Sequence, residues 1–592
     1  MNYDRKKEVD PFRTVQRARE ILTNLGILTV ETWKQAYRRD ALEPHAFSVR
    51  LDAPDYGFGT NGKGSLRSFT LASAYGEFLE RLENMILFPI GQIRDESFDA
   101  FGFTYFPDEE VCSEADVLHA SDRFSETVYR DFYRNHFLLT CGEEERRKVL
   151  SAYRCFDMTN RKTEYVTWPF YSVRTNETVR IWNCFATYLH GSTGMCAGNT
   201  PAEALVQGLS EILERYALTQ IFTRDIIPPD VPREVYDCYE PIAEAIREIE
   251  AMGNFKVLVK DCSIEKGLPV CAVVLVDRNK QRYRASFGCH PHLPVAIERC
   301  LTELLQGFDP TKPEESDMCL ISADIPKDRM LPHLNVRNMQ SNGMGILSHD
   351  FFTGAPSYPY TRLESMEHAD NRAMLLYMTE LALTLSDDVL IRDVSYLGFP
   401  AYFIIVPGVS HYPTTQSMLT VDEAYRSLAD IGTYKENLTE QKLRKLLVGL
   451  NRFESTSAKN SVPFSPRRLK IAAMRMLGQY RELVSYLAPQ TWQSESEGRE
   501  MRALTDAVKY AANGCTEQEA KAYITLFYGE EWWQKLKETW LCPNPVAVEL
   551  QGVEEKKTGE KTDAINELFV RVKKQFCEVR ICQEELRELF PR

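Results

Sequence analysis

Three stretches of the chain repeat apolar residues every three to four positions and set acidic residues opposite them. At about 100° per residue, Leu71, Tyr75, Phe78 and Leu82 fall on one face of a predicted helix, and Ser73, Glu77 and Glu80 on the other. In the second stretch Leu205, Leu209, Ile212 and Tyr216 form the apolar stripe, opposed by Glu203, Gln207, Glu211 and Glu214. In the third, Ile297, Leu301 and Leu304 are opposed by Arg299, Glu303 and Gln306. Strand-sized apolar runs such as Cys271–Val276 and Phe403–Pro407 alternate with helical patterns as far as about residue 413. Beyond that point the strand signals stop. Helical patterns then run over Met418–Asn451, Arg468–Leu487 and Gly498–Ala512 and onward, with Thr516 and Glu519 spaced as a capping box. Gly552–Thr562 reads as a polar loop.

The mixed part contains an internal echo. Val257–Ser263 (VLVKDCS) followed by Gly267-Leu-Pro-Val resembles Val389–Ser395 (VLIRDVS) followed by Gly398-Phe-Pro-Ala, and a helical stretch precedes each copy. The pattern predicts an α/β (α+β) core built from repeated helix/strand modules over residues 1–451. A linker at 452–467, rich in Ser, Asn and Pro, follows it. An all-α, TPR-like region of stacked hairpins is expected over 468–592.

Composition narrows the classes without choosing among them. The chain has 592 residues, 44% hydrophobic and 26% charged, which is ordinary globular usage. No apolar run reaches the roughly 18 residues of a membrane helix. The charged start, Met1–Glu8, has no apolar core after it, so no signal peptide and no membrane association are expected. A net charge of −14 argues against nucleic acid as a partner. The 15 cysteines include no CxxC pair, which fits reduced thiols and a cytoplasmic location better than a zinc site.

A polar stripe opposite an apolar one is ordinarily a solvated face, and Glu203 also completes a capping box with Thr200 and Pro201. Three features point elsewhere. The stripes hold six glutamates and Arg299 but no lysine, with Arg81 and Arg215 beside them. Gly76 and Gly208 sit inside helices, where glycine costs about 1 kcal/mol relative to alanine, as expected where something approaches closely. The first two helices share the pattern Glu-x-Leu-Glu-Arg, at Glu77–Arg81 and Glu211–Arg215. So many carboxylates require cations, and Mg2+ shared with nucleotide phosphates meets that need. Gly57, Gly62 and Lys63 mimic a phosphate-binding loop, but Gly64 stands where Ser or Thr must reach the metal. Lys63 is therefore read as a basic residue lining an anionic pocket. His190, His290 and His292 are read first as structural, with ligand or base roles as the rarer alternative.

In its motifs the chain resembles the YcaO superfamily, ATP-dependent enzymes that activate peptide backbone amides. It is most similar to the long enterobacterial-type YcaO proteins with a helical C-terminal extension. The segments are Thr60-Asn-Gly-Lys-Gly, SAYGEFLER (Ser73–Arg81), AGNT at Ala197, VQGLSEILER ending at Arg215, ASFGCH (Ala285–His290), AIERCLTELLQG (Ala296–Gly307) and Ile405-Val-Pro-Gly. The resemblance implies ATP and Mg2+ as cofactors. Ser73, Glu77, Asn199, Gln207, Arg215, Arg299 and Glu303 match nucleotide-site positions, with Arg215, Arg299 and Glu303 nearest the chemistry. Glu77, Glu80, Glu203, Glu211 and Glu214 match metal-holding carboxylates, and Lys7 and Thr14 align with a nucleotide-contacting Lys and Ser.

The implied reaction is phosphorylation of an amide oxygen, leading to an azoline or a thioamide, on a peptide or protein substrate. The related enterobacterial-type role is support of ribosomal-protein β-methylthiolation, with a methylthiotransferase or sulfur donor as partner and a homodimer left open. The chain lacks the proline-rich PxPxP tail of azoline-forming members, ending instead in Leu589-Phe-Pro-Arg. The alternative is a non-catalytic ATP-sensing adaptor whose helical region binds a partner protein.

Overall fold

The structure, a computed structural model, describes residues 5–34, 46–88, 93–120, 122–136, 142–154, 164–306, 318–320, 345–361, 366–411, 465–488, 495–555 and 560–590, with single positions at 308, 336 and 339 and several between 438 and 450. The chain divides into two compact units. One comprises Met1–Leu150, Phe156–Pro413 and Glu560–Arg592, the other Ser151–Cys155 and Thr414–Gly559. Most of the helical pattern expected over Met418–Asn451 and most of the expected linker lie outside the described residues; the described positions between 440 and 450 are helical, with Leu443, Leu446, Leu447 and Leu450 buried in the second unit's core.

In the first unit β1 (Val30–Lys34), β2 (Phe47–Ala53) and β3 (Phe58–Gly64) form an antiparallel sheet in that order. The first acidic helix, Arg67–Glu83, follows β3 and lies on it. A side chain at Gly62 would put its Cβ 2.2 Å from the Thr70 carbonyl oxygen, so glycine is what lets the helix rest on the strand. The segment resembling a phosphate loop is thus a turn at Gly57 (φ +72°) followed by β3.

The remaining strands are β4 (Glu110–Cys112), β5 (Tyr165–Ser172), β6 (Thr178–Trp182), β7 (Met195–Ala197), β8 (Phe255–Asp261), β9 (Val270–Asp277), β10 (Arg282–Cys289), β11 (Cys319–Leu320), β12 (Leu390–Asp393) and β13 (Ala401–Ile405). One sheet has the order β4-β5-β12-β13-β7 with β6 on β5, the other β11-β10-β9-β8. The echoed motifs are the antiparallel hairpins β8–β9 and β12–β13, one in each sheet, preceded by the helices Glu240–Ala251 and Asn371–Leu385.

The second acidic helix, Pro201–Arg224, packs Leu205, Leu209 and Ile212 against Val270, Ala272 and Val274 of β9 and Ile391 and Ile404 of the other sheet. The opposite face of β9, Cys271, Val273 and Leu275, packs on Ile246, Ile249, Ile297 and Leu301. Burial on both faces explains why this strand reads as an unbroken apolar run. The third acidic helix, Leu293–Leu304, therefore shares a strand with the second. Gly208 owes its place to this packing: a Cβ there would lie 2.7 Å from Cys196 Sγ and 2.8 Å from Ile404 Cδ1.

The expectation of one helical region over 468–592 differs from the structure at its end. The helix Glu560–Phe576 belongs to the first unit. Phe569 meets Phe88 and Phe98 edge-on at 5.1 and 5.3 Å, and Phe576 stacks on Tyr396 at 4.8 Å. Lys573 Nζ donates to the carbonyls of Ser97, Phe98 and Phe103 at 3.2, 2.5 and 2.6 Å.

The second unit is helical: Pro466–Met476, Tyr480–Leu487, Glu495–Ala512, Glu517–Tyr528, Glu530–Thr539 and Pro545–Glu555. The Thr516–Glu519 capping box forms as expected, whereas most of the expected loop at 552–562 is helical where it is described. Arg468 of Pro466–Met476 reaches Glu549 of Pro545–Glu555 at 2.9 and 3.0 Å and lies over Trp540 at 4.7 Å. Among the described residues no helix is long and apolar enough to cross a membrane.

Candidate nucleotide and metal site

The three acidic stripes face one another across a cavity of about 610 Å3 in the first unit. All the residues read from the sequence line it: Lys7, Thr14, Lys63, Ser73, Glu77, Glu80, Asn199, Glu203, Gln207, Glu211, Glu214, Arg215, Arg299 and Glu303. The residues of the three acidic helices arrive by one logic. The apolar side of each helix is held by the core, with Tyr75, Phe78, Leu205, Leu209, Ile212 and Ile297 almost wholly buried, so the polar side is turned to the opening. Lys63 comes from β3, Thr14 from the helix Pro11–Asn24, and Lys7 and Asn199 from irregular segments. Gly76 lies at the wall with nothing within 4 Å of a Cβ built on it.

Cations are interleaved with the carboxylates. Arg81 pairs with Glu77 and Arg215 with Glu211, both at 2.6 Å one helical turn apart. Arg215 also donates to Thr193 Oγ1. Lys63 reaches across from β3 to Glu303 at 2.5 Å. At the other end Thr14 donates to Asn199 Oδ1 at 2.7 Å, and Glu203 accepts from Lys7 Nζ at 3.1 Å, from Asn199 Nδ2 at 3.2 Å and from the Glu8 amide at 3.3 Å. Both Glu203 oxygens are thus taken by protein donors.

Glu80 and Glu214 make no side-chain hydrogen bond among the described residues. Burial pushes the Glu80 carboxyl well above its ordinary range, and Glu211 and Glu77 add to the shift. Burial likewise pushes Glu214 up to about 8 against the opposing pull of Arg299. Glu77 is raised by burial despite Arg81 and Lys63. Burial also opposes ionisation of Glu303, but Lys63 and Arg299 outweigh it and hold the group below its usual value. Carboxylates that resist ionising together are those a divalent cation would relieve. No three His, Cys, Asp or Glu side chains among the described residues converge as a ready-made metal cage. Magnesium does not need one, since it keeps waters and binds through one or two carboxylates plus phosphate oxygens. The donor set therefore fits Mg2+ bound together with a nucleotide.

His190 is apart from this site, in the core with its Nδ1 2.7 Å from the Ala186 carbonyl oxygen. His290 lines the cavity, its Nδ1 accepting from the His292 amide at 3.0 Å. The sequence reading missed Arg5, Lys6, Arg284, Glu298 and Asn371, which also line the cavity. Arg5 and Lys6 adjoin Lys7 in one basic run, a signal that was available. Asn371 reads from sequence as nothing more than an ordinary helix start.

Comparison with known proteins gives a consistent result. The model of a family described as YcaO cyclodehydratase, ATP- and Mg2+-binding, matches residues 61–410. The chain is 32% identical over 410 residues to the ribosomal protein S12 methylthiotransferase accessory factor YcaO of Escherichia coli K12, covering 68% of this chain and 65% of that protein. It is 30% identical over 378 residues to an uncharacterized protein of Haemophilus influenzae, covering 62% and 60%. The match thus spans under two thirds of the length of these curated relatives. A solved structure of YcaO from Methanopyrus kandleri bound with AMPPCP and Mg2+ is 18% identical, with a TM-score of 0.40, covering 70% of this chain and 94% of that one.

Proposed function

The chain belongs to the YcaO family, ATP- and Mg2+-binding proteins, and on that premise we propose that it activates a peptide backbone amide by phosphorylating the amide oxygen at the expense of ATP. The observation that carries this reading is one cavity lined by every residue of the three acidic stripes that the sequence singled out. Glu77, Glu80, Glu211 and Glu214 would hold magnesium. Lys63, Arg215 and Arg299 would face the phosphates, and Lys7, Thr14, Asn199, Ser73 and Gln207 the rest of the nucleotide. Glu303, with Arg215 and Arg299, would serve the transferred phosphoryl group. Mg-ATP supplies a phosphoryl group that turns the amide oxygen into a leaving group once a nucleophile has added to the amide carbon. Catalysis of this kind is mostly positioning and charge neutralisation, which matches a cavity rich in fixed charges. The product is an azoline or thioamide, or the activity supports β-methylthiolation of a ribosomal protein.

A second reading, an ATP-sensing adaptor, draws on the helical unit, where Leu526 and Phe527 are 77% and 62% exposed, the kind of apolar surface partners bind. Two measurements decide. Mg-ATP at roughly 100 times its Kd should add about 2.7 kcal/mol of stability, and a melting temperature indifferent to millimolar Mg-ATP defeats both readings. Phosphate release on adding Mg-ATP separates enzyme from adaptor.

A further inference from the structure

The segment Arg5–Val9 crosses the cavity wall as a strap. Arg5, Lys6, Lys7 and Val9 all line the opening. At one end Arg5 Nε bonds Glu298 Oε1 at 3.0 Å and its Nη2 bonds Ser65 Oγ at 3.2 Å, with the guanidinium 5.5 Å over the Phe69 ring. At the other end Lys7 and the Glu8 amide bond Glu203. Between these anchors Lys6 sits at φ 59°, a left-handed conformation that a lysine keeps only where its surroundings over-determine it. The over-determination comes from outside the strap. Lys6 Nζ donates to the Glu367 carbonyl. The buried Asn371 donates from Nδ2 to the Lys6 carbonyl at 3.0 Å and to Glu8 Oε1 at 2.8 Å. An amide nitrogen has two protons, and both are used on the strap. The neighbouring Asp370 caps the helix through the Ala373 amide, so Asn371 is not needed for that.

We propose that Asn371 is a positioning residue that seats the strap Arg5–Val9 as a wall of the cavity and sets Arg5 and Lys7 against the third and second acidic helices. It touches no reacting atom and acts through the strap. The proposal deepens the nucleotide-site reading and rests on it for its effect on ATP. Because Arg5, Lys6 and Lys7 are all tryptic sites, the seating of the strap is also readable without any nucleotide.

The experiment compares wild type, Asn371→Ala, Asn371→Asp and Asn371→Asp with Glu8→Gln. In the nucleotide-free Asn371→Ala protein, trypsin should cut within the strap roughly tenfold faster, as expected for two lost hydrogen bonds. KM for ATP should rise by a similar factor while kcat changes by about twofold or less. Asn371→Asp should behave like the alanine variant. Adding Glu8→Gln turns the strap's acceptor into a donor toward the introduced carboxylate and should recover part of both losses. Unchanged strap cleavage in Asn371→Ala overturns the proposal, as does a fall in kcat at constant KM or a double variant no better than Asn371→Asp. Wild-type protein that does not bind Mg-ATP overturns the function proposed above, and the cleavage rates then judge the clamp alone.

Discussion

Lys63 and Glu303 join a β-strand to a helix across the cavity through one ion pair, Nζ to Oε2 at 2.5 Å. The partners are 31% and 47% exposed, so the pair contributes little to stability, about 1 kcal/mol at most. Its importance lies in holding a cation beside carboxylates that a metal would otherwise neutralise. Lys63→Met should leave the melting temperature nearly unchanged and raise KM for ATP at least tenfold, about 1.4 kcal/mol of binding. Steady-state kinetics beside a thermal melt checks it; a large melt shift with KM intact would mean that Lys63 is structural.

The metal assignment is tested on Glu211 and Glu214, one turn apart on the second acidic helix. Glu211→Gln with Glu214→Gln removes two carboxyl groups at nearly constant volume while the apolar side of the helix stays packed. ATP hydrolysis should fall by several orders of magnitude, and the nucleotide-free melting temperature should hold or rise, because a carboxyl whose ionisation burial opposes is replaced by a neutral amide. Retained turnover in the folded double variant would remove the metal role.

Truncation before Arg468 tests the architecture. Sequence periodicity alone expects such a fragment to stay folded, but it lacks Phe569, Lys573 and Phe576, which are wholly buried in the first unit. Losing a buried phenylalanine side chain costs about 3–5 kcal/mol, against a total stability of roughly 5–15 kcal/mol. The fragment should be insoluble. A chain with Thr414–Gly559 excised and a short linker inserted should be soluble and still stabilised by Mg-ATP. Solubility and melts of the two proteins distinguish the outcomes.

Acid stability depends on His190. Burial pushes its pKa down to about 4, and His411, 5.0 Å away between ring centroids, is also lowered. An unfolded histidine titrates near 6.5. Between that value and about 4 the unfolded chain binds more protons than the folded one, so stability is lost as pH falls through the window and none is lost above it. His190→Gln should be less stable than wild type near neutral pH, with the gap narrowing at about pH 5. Melts across this range check the sign, and a widening gap would contradict it.

The three acidic helices and the echoed hairpins were legible because their periodicity is local. Leu205, Leu209 and Ile212 declare which side is held, and the opposite side has nowhere to face but the cavity. The apolar run of β9 likewise announced a strand, though its burial on both faces emerged only from the packing. What the sequence hid depends on long-range choice. The helical pattern of Glu560–Phe576 is as regular as its neighbours and says nothing about which core Phe569 enters. Gly208 marked a close approach correctly, but periodicity does not reveal that the approaching body is the chain's own sheet at Cys196 and Ile404. Asn371 gave no signal, since its partners lie more than 360 positions away in sequence.

The return of Glu560–Arg592 to the first unit also sets a timetable for synthesis. Residues emerge from the ribosome in order at roughly 5–20 per second. The helical unit, drawn almost wholly from Thr414–Gly559, has all its partners in hand while the first unit still lacks the helix that brings Phe569 and Phe576. The part that begins first is therefore finished last. Until Phe576 emerges, Phe88, Phe98, Phe106 and Tyr396 have no aromatic lid, and the nascent chain carries that uncovered surface until its last helix is made.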